Sequence, residues 1–516
     1  MATTQSPQKT LVPAQTLKGY RDILPEEMIF QNQLVEKVRG VLERYGFVPL
    51  DTPCVEYLTT LTGTGGEETE KDIIRFKSRE REDVGLRFDL TVPFARLLAQ
   101  YPEQLRLPFR RYQLAPVFRN DKPGEGRYRQ FRQFDFDAAG SESVAVDAEI
   151  VAVMCDLLKA VGLQKRPELQ QFQVKVNSRK VLELILNAAN VHDNETQKRV
   201  LRVIDKLLKI GIENVRKELG RGRQDESGDE IRGVDLSEDI INKILGPILA
   251  EGSSRAGVVD AIAGKLPHTA QSEQVLDDMR ELDRCLAAVG VGENDAIFYP
   301  SLARGLDYYT GPIFEAYLLQ APEIGAVIGG GRYDQLVDRF LEKKIPATGA
   351  SFGLDRFTAA LKRLGTIDTS ATITQALILS LQGVPASHQM KIAAMLRADG
   401  IRTEVYFGES GTRLSDQLST ANLRQIPVAV IIGPDEYQSN KASVKDLRTG
   451  MSSRAGIEDR DAFRKAGKAG QVSIDLDQLS STVKSMLASL DGPNISTTNQ
   501  EAQTSAGGYV RETHGH

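Results

Sequence analysis

Residues 117–140, VFRNDKPGEGRYRQFRQFDFDAAG, place a charged loop between two segments rich in aromatic residues. From Leu105 to Gln133, eight basic residues accompany two acidic ones, with aromatic side chains between them. Such a charge run can be a solvated surface, but alternation of arginine with aromatic residues is typical of antiparallel strands that bury one face and line a charged cleft with the other. Clustered arginines bind polyphosphate or an RNA backbone through bidentate hydrogen bonds. The stretch therefore predicts two strands beside an anion-binding cleft.

The segments on either side of this stretch predict a core of mixed helices and strands. Apolar residues at helical spacing indicate helices, and short apolar runs indicate strands. Helices are predicted at 26–45, from 91 and at 148–161, and strands at 73–77, 84–88 and 171–176. The stretch IGGGRY (328–333) predicts a glycine-rich hairpin, and GASFGLDRF (349–357) leads into a helix.

A chain of 516 residues is too long for one hydrophobic core and should divide into two to four domains. Beyond a linker rich in threonine, alternating strands and helices predict a separate α/β domain with mostly parallel strands. The predicted segments are a flexible N-terminus (1–16), the first part of a core (17–177), a helical insertion (178–290), the second part of the core (291–364), a linker (365–373), the α/β domain (374–488) and a disordered tail (489–516).

Composition argues against several classes of protein. With 41% hydrophobic residues and no apolar run near the roughly 20 residues that span a bilayer, the chain is expected to have no membrane partner. Its three separated cysteines suit a reducing cytosol, so the expected location is cytoplasmic. The N-terminus lacks the hydrophobic stretch of a secretory signal. Three separated cysteines, and five histidines away from the motif-like stretches, argue against a disulfide framework and a histidine-held metal ion.

A second stretch, RGLDYYTGPIFE (304–315), sets two tyrosines side by side in a chain that has only 14. In a regular strand, adjacent side chains point to opposite faces, so one of Tyr308 and Tyr309 would pack inward and the other outward. Alternatively both flank a ligand, since tyrosine offers an apolar face and a polar tip. The residues alone leave the two interpretations open.

Several stretches together resemble one family, the histidyl-tRNA synthetases, within the class II aminoacyl-tRNA synthetases. Residues 117–140 resemble the second class II signature, and residues 349–357 resemble the third. RGLDYYTGPIFE and GGGRYDQL (329–336) are similar to two stretches peculiar to the histidine family. Further stretches that match are GYRDILPEE (19–27), LRFDLTVPFAR (86–96) and, as part of an anticodon-binding domain, RQIPVAVIIGPDE (424–436).

The resemblance implies an α+β fold, in which the antiparallel sheet core of class II carries a helical insertion and precedes a C-terminal α/β anticodon-binding domain. It implies ATP-dependent activation of L-histidine to histidyl-adenylate with release of pyrophosphate, then transfer to the 3′ end of tRNA-His. Mg²⁺ is expected with ATP, since it prefers phosphate oxygens to an all-protein cage. A homodimer is expected, as in the family, and the helical insertion is expected to hold the acceptor arm of the tRNA.

Two alternatives resemble the same core. One is a non-catalytic paralogue, the regulatory subunit of ATP phosphoribosyltransferase, and the other is an RNA-binding pseudo-synthetase. Paralogues of the first kind usually lack the anticodon-binding domain, and their sequences usually do not retain the arginine-tyrosine stretch. The chain retains both features together with Arg119, Arg304 and Arg356, so the enzyme is favoured.

The resemblance also assigns roles to individual residues. The expected catalytic residues are Arg304 and Arg119. The expected ATP-binding residues are Arg119, Asp121, Arg127 and Arg356. The expected histidine-binding residues are Asp89, Leu90, Thr91, Arg119, Gln133, Asp137, Arg304, Tyr308, Tyr309 and Tyr333. No protein ligand to a metal ion is expected.

Histidine explains some of these residue types. A neutral imidazole has one donor and one acceptor nitrogen. The resemblance implies that Asp137 accepts a hydrogen bond from the ring N–H. It also implies that the α-ammonium group is bound by Asp89, Thr91 and Gln133. Asp89 can alternatively cap the helix that follows it.

Overall fold

The computed structural model describes residues 12–63, 70–124, 126–163, 171–224, 228–303, 308–365, 372–379, 381–409, 411–448 and 470–488. The chain divides into two compact units, Met1–Thr369 and Ser370–His516. Residues 1–11 of the predicted flexible N-terminus, 366–371 of the predicted linker and all of the predicted tail lie outside the described residues. The predicted domain boundaries remain predictions.

An antiparallel sheet organises the first unit. The described strands of this unit are β1 (Val48–Pro49), β2 (Val55–Tyr57), β3 (Arg75–Lys77), β4 (Asp83–Leu86), β5 (Phe109–Phe118), β6 (Gln130–Ala139), β7 (Phe172–Ser178), β8 (Gly222–Gln224), β9 (Glu230–Arg232), β10 (Ala296–Phe298), β11 (Pro312–Leu318), β12 (Ala326–Arg332) and β13 (Ala347–Gly353). Eight of them form one sheet in the order β1-β5-β6-β13-β12-β11-β7-β10. The strands from β5 to β7 are antiparallel to one another, and β1 and β10 add parallel edges. The predicted antiparallel core is confirmed.

Helices cover this sheet. The described helices of the unit are α1 (Pro25–Arg44), α2 (Leu58–Leu61), α3 (Thr91–Gln100), α4 (Val144–Ala160), α5 (Arg179–Ala188), α6 (Asn194–Ile204), α7 (Leu207–Leu219), α8 (Glu238–Ile248), α9 (Arg255–Ala263), α10 (Ala270–Ala288) and α11 (Leu354–Arg363). The helix α4 begins earlier than predicted because the Ser143 side chain caps it by accepting a hydrogen bond from the Ala145 amide. Most of α4 is buried, and it packs against β13 and β7.

Strand alternation separates the two faces of the sheet. Phe134 and Phe136 of β6 lie in the same hydrophobic cluster as the buried side chains of α4. Phe134 stacks on Phe352 of β13 at a centroid distance of 5.4 Å. The intervening residues of β6 therefore face away from α4 and are available to a cleft.

The helices α5 to α10 lie between β7 and β10 in sequence, where the helical insertion is predicted. Their buried side chains belong to the same hydrophobic cluster as the sheet. The short hairpin of β8 and β9 is included in this segment.

The prediction of a hairpin at 328–333 is wrong. These residues lie mainly in β12, a central strand between β11 and β13. A Cβ atom at Gly330 would meet the backbone of Gly349 and Ala350 at less than 3.0 Å. The glycines thus permit a close approach of neighbouring strands. Close backbone approach is a common reason for glycine within a strand.

The second unit is an α/β structure around its own sheet and is described by itself. Its described elements are β14 (Ala376–Leu379), α12 (Ala386–Ala398), β15 (Thr403–Val405), α13 (Leu414–Leu423), β16 (Val428–Ile431), α14 (Pro434–Ser439), β17 (Lys441–Asp446), β18 (Gln471–Asp475) and α15 (Leu479–Ala488). The order is β15-β14-β16-β17-β18. β14 is parallel to both neighbours, whereas β16–β17 and β17–β18 are antiparallel, so the prediction of mostly parallel strands is wrong for this edge.

No helix among the described residues of either unit has the length and apolar character needed to cross a bilayer.

Candidate active site

A pocket of about 560 Å³ lies on the sheet face opposite α4. β6, β12 and β13 form its floor, and the loop between β5 and β6, the start of α3 and the segment before β11 form its walls. The predicted site residues that line it are Asp89, Thr91, Arg119, Asp121, Arg127, Gln133, Asp137, Tyr308, Tyr309, Tyr333 and Arg356. The pocket therefore brings together residues that are far apart in sequence.

Two predicted residues are not among those that line the pocket. Leu90 is fully buried in a small cluster with Ala115 and Val117, and its carbonyl oxygen accepts a hydrogen bond from Arg111 at 3.2 Å. Arg304 lies outside the described residues.

Two side chains hold Asp137, and the lack of a side chain at Gly349 leaves room for its carboxylate. Tyr333 donates its hydroxyl proton to Asp137 Oδ1, and Arg111 Nη2 lies 2.7 Å from Asp137 Oδ2. At Gly349, a Cβ would approach the Asp137 carboxylate to less than 3.0 Å. Burial raises the pKa of Asp137 above its ordinary value, and Arg111 and Tyr333 act against this rise. The result is a carboxylate in a fixed position on the pocket floor.

Asp135 orients the amide of Gln133. Asp135 Oδ1 accepts hydrogen bonds from Gln133 Nε2, at 2.9 Å, and from Ser351 Oγ. Because the amide nitrogen is engaged, the Gln133 carbonyl oxygen remains for a donor on a ligand. Burial raises the pKa of Asp135 to about 7, while Arg111 lowers it and Asp137 raises it. Gln133 and the two aspartates thus make this part of the floor suitable for a cationic or N–H-donating group.

The adjacent tyrosines precede β11 rather than lie within it. Both line the pocket, so they do not divide between two faces of a strand. The ring centroids of Tyr308 and Tyr309 are 4.9 Å apart, and those of Tyr308 and Tyr333 are 6.1 Å apart, both edge to face. Burial raises the pKa of Tyr333, and the charge of Asp137 raises it too, so the Tyr333 hydroxyl remains a donor at neutral pH. The three rings form an aromatic wall beside Asp137.

Arg119 extends from the end of β5 along two aromatic rings. Its guanidinium carbon lies 4.2 Å from the ring centroid of Phe88 and 5.2 Å from that of Phe131, distances at which a cation attracts the face of a ring. Its Nε donates to the Phe88 carbonyl oxygen at 3.2 Å. Asp121 and Arg127, on the same loop, also line the pocket.

Arg356 enters the pocket from the first turn of α11. Its Nη2 donates to the carbonyl oxygen of Ile324 at 2.6 Å, and its side chain is exposed. Together with Arg119 and Arg127 it gives the pocket three guanidinium groups, which suits a ligand that carries several anionic oxygens.

Asp89 accepts a hydrogen bond at the start of a helix and also lines the pocket, so its position is compatible with both of its predicted roles. Its Oδ1 accepts a hydrogen bond from the Val92 amide at 3.0 Å, at the start of α3. It also lines the pocket. Burial raises the pKa of Asp89, and Arg119 is among the groups that lower it.

Sequence reasoning missed Arg111 and Asp135 as members of this site. Both are fully buried. Arg111 contacts the predicted site residue Asp137, and Asp135 contacts the predicted site residue Gln133. Within the described part of the chain, no group of three or more His, Cys, Asp or Glu side chains is placed to hold a metal ion.

The chain is similar to known proteins over most of its length. The sequence model of the histidyl-tRNA synthetase family matches residues 19–357, and that of an anticodon-binding domain matches residues 375–486. The histidine–tRNA ligase of Caulobacter vibrioides is 36% identical over 485 residues, which cover 92% of this chain and 97% of that protein. That of Paracoccus denitrificans is 39% identical over 453 residues, which cover 85% and 90%.

A solved structure of a histidyl-tRNA synthetase has a similar fold. The crystal structure of histidyl-tRNA synthetase from Nostoc sp. PCC 7120 is similar to this chain with a TM-score of 0.75 and 28% identity, and the match covers 92% of this chain and 100% of the other. The pocket geometry, the family match and the full-length relatives lead to one conclusion: the chain belongs to the histidyl-tRNA synthetase family, the histidine–tRNA ligases among the class II aminoacyl-tRNA synthetases.

Proposed function

We propose that the pocket on the large sheet is where this chain joins histidine to ATP, the first step of histidine–tRNA ligation. The observation that carries the proposal is the placement of Asp137 and three tyrosines in the same pocket as three arginines. Histidine needs a polar aromatic recess, and the triphosphate needs fixed positive charge. The carboxylate of histidine attacks the α-phosphorus of ATP, so that histidyl-adenylate forms and pyrophosphate leaves. Both reactants are anionic at their reacting ends, and orientation and preorganised charge lower the barrier.

Histidine recognition is assigned to the floor and the aromatic wall. Asp137 accepts the imidazole N–H, and the rings of Tyr308, Tyr309 and Tyr333 enclose the ring. Gln133 offers its carbonyl oxygen to the α-ammonium group, because Asp135 already holds its amide nitrogen. Asp89 and Thr91 complete the ammonium site. Leu90 between them does not line the pocket, and its proposed part is indirect, through the hydrogen bond from Arg111 to its carbonyl oxygen. A site of paired polar groups rejects apolar isosteres of histidine by leaving buried groups unpaired.

ATP is assigned to the arginines. Arg119 and Arg356 bind its phosphates, and Arg127 and Asp121 contribute from the loop between β5 and β6, which lines the same pocket. Arg304 is proposed to hold the α-phosphate and the histidine carboxylate together, a role that rests on the family resemblance alone. A guanidinium suits that role because its planar fork can bind two anionic groups at once.

Mg²⁺ is proposed to enter the pocket with ATP and would be held mainly by phosphate oxygens, which it prefers to an all-protein cage. The carboxylate of Asp121, which lines the pocket, is compatible with a cation of this kind. When bound, the ion would neutralise charge on the departing pyrophosphate.

Transfer to tRNA-His is proposed to involve the second unit as the anticodon reader and the helices α5 to α10 as a support for the acceptor arm. A cytoplasmic homodimer is proposed as the working form. The regulatory-paralogue alternative is disfavoured by the match to an anticodon-binding domain over residues 375–486.

The decisive test of the function is ATP–pyrophosphate exchange with each of the twenty amino acids. Histidine is expected to support exchange at least about 100-fold better than any other amino acid, as a pocket of paired polar groups predicts. No exchange with histidine, or equal exchange with another amino acid, would contradict the assignment.

Removal of the second unit is expected to separate the two steps. A chain that ends at Thr369 retains the whole pocket. We expect it to keep measurable exchange but to charge tRNA-His at least about tenfold more slowly, a change of about 1.4 kcal/mol. Charging at the full rate would show that the second unit has another role.

A further inference from the structure

We propose that Arg111 is a positioning residue that keeps Asp137 ionised and aimed at the imidazole of histidine, with Asp135 as the second carboxylate that shares its charge. The inference rests on the proposed function of the pocket and extends it to a residue behind the floor. Arg111 is not among the side chains that line the pocket, so it acts on histidine only through Asp137.

The position of Arg111 follows from strand register. Arg111 of β5 lies directly opposite Asp137 of β6, and cross-strand neighbours point to the same face. The side chain is fully buried. Its guanidinium carbon lies 4.6 Å from the ring centroid of Phe94, and Nη2 donates to the Leu90 carbonyl oxygen at 3.2 Å. These contacts from α3 and the residue before it fix the guanidinium in place.

The same guanidinium serves two carboxylates. Arg111 Nη2 lies 2.7 Å from Asp137 Oδ2 and 3.7 Å from Asp135 Oδ2. Both oxygens are buried and neither accepts a hydrogen bond from the described residues, so ion pairing is what ties them to Arg111. Arg111 therefore supplies its positive charge to Asp137 from behind the pocket floor. An ionised carboxylate has about four lone-pair sites, so Asp137 keeps acceptor capacity for an imidazole N–H beside Tyr333 and Arg111.

The charged and titratable groups that face Asp137 act in opposite directions. The charge of Asp89, at the start of α3, raises the pKa of Asp137, and the charge of Asp137 raises the pKa of its neighbour Asp135 on β6. Arg111 from β5 and the Tyr333 hydroxyl favour the carboxylate. Without Arg111, burial and two neighbouring carboxyl groups would raise the pKa of Asp137 further. Histidine binding through Asp137 would then be present above the new pKa and lost as the pH falls through it.

The test is the pH dependence of kcat/KM for histidine in ATP–pyrophosphate exchange, with Arg111→Met as the variant. A neighbouring opposite charge lowers the pKa of a carboxyl group by about 1–3 units, so the acid limb is expected to move to higher pH by at least about one unit. The protonation of free histidine contributes equally to wild type and variant and cancels from the shift. KM for ATP is expected to stay within about twofold, since the ATP contacts are unchanged.

Arg255→Met is the matched control. Arg255 is also a buried arginine; its Nε lies 2.6 Å from Asp283, and it donates to three carbonyl oxygens, but neither it nor these partners line the pocket. Its loss is expected to lower stability and to leave the acid limb in place. If the acid limb of Arg255→Met moved as far as that of Arg111→Met, the shift would reflect general destabilisation of the fold. That result would overturn the proposal.

Asp135→Asn provides a second arm that does not depend on the folding of Arg111→Met. Asparagine keeps an oxygen for Gln133 and Ser351 but cannot ionise. Wherever Asp135 is charged, the substitution removes its repulsion of the Asp137 carboxylate, so the acid limb is expected to move to lower pH. A shift to higher pH, or an unmoved limb in a folded Arg111→Met variant, would overturn the inference. Both outcomes are distinct from failure of the proposed function, which wild-type exchange with histidine tests independently.

Discussion

Replacement of Arg119 by alanine is expected to lower the rate of histidyl-adenylate formation by about 10²–10³-fold, the usual effect of removing one preorganised charge from a developing anion. Arg119 is held between Phe88 and Phe131, and its Nε is bound to the Phe88 carbonyl oxygen. The guanidinium is thus placed before any ligand arrives and needs little reorganisation during the reaction. We expect Arg119→Lys to recover little, because an ammonium group does not replace a planar fork on phosphate oxygens.

Single-turnover adenylate formation with both substrates saturating measures this effect. Arg110→Ala is the control, since Arg110 lies on the same strand but pairs with Glu149 of α4 at 2.5 Å, on the other face of the sheet. The control is expected to react at nearly the wild-type rate. A rate for Arg119→Ala within about threefold of wild type, equivalent to about 0.65 kcal/mol, would remove Arg119 from the mechanism.

The strand pattern accounts for much of what could be predicted of the fold. In residues 117–140, alternation places Phe134 and Phe136 in the core and their neighbours on the other face, as the structure has them. The glycines of 329–331 were misinterpreted because glycine serves both turns and close-packed strands. Only the neighbours of β12 distinguish the two uses, and a single sequence does not name those neighbours.

Because a single sequence does not show which strands are neighbours, some site residues could not be predicted either. Asp135 is two residues before Asp137 and so shares its face, a relation that alternation alone could have revealed. Arg111 is different, because its meeting with Asp137 depends on the register of β5 against β6. A short hairpin turn would fix that register, but the long loop at 119–129 does not. Arg111 consequently looked like Arg110, one more member of a basic run.

Replacement of Asp137 by asparagine is expected to lower kcat/KM for histidine by at least about 100-fold, or about 2.8 kcal/mol, with KM for ATP nearly unchanged. Asparagine has almost the same shape, so the effect isolates the charge. The amide accepts more weakly from the imidazole N–H, and it leaves Arg111 with only Asp135, 3.7 Å away, as a partner for its charge.

The variant should also lose its preference for histidine over analogues that lack a ring N–H, because a neutral amide presents both a donor and an acceptor to the ligand. Asp283→Asn is the matched control, since Asp283 pairs with the buried Arg255 at 2.6 Å but does not line the pocket. If steady-state exchange gave Asp137→Asn a kcat/KM for histidine close to that of Asp283→Asn, the loss would reflect a disturbed buried ion pair. Asp137 would then have no part in recognising the imidazole, and the ring N–H would have to bind elsewhere on the aromatic wall.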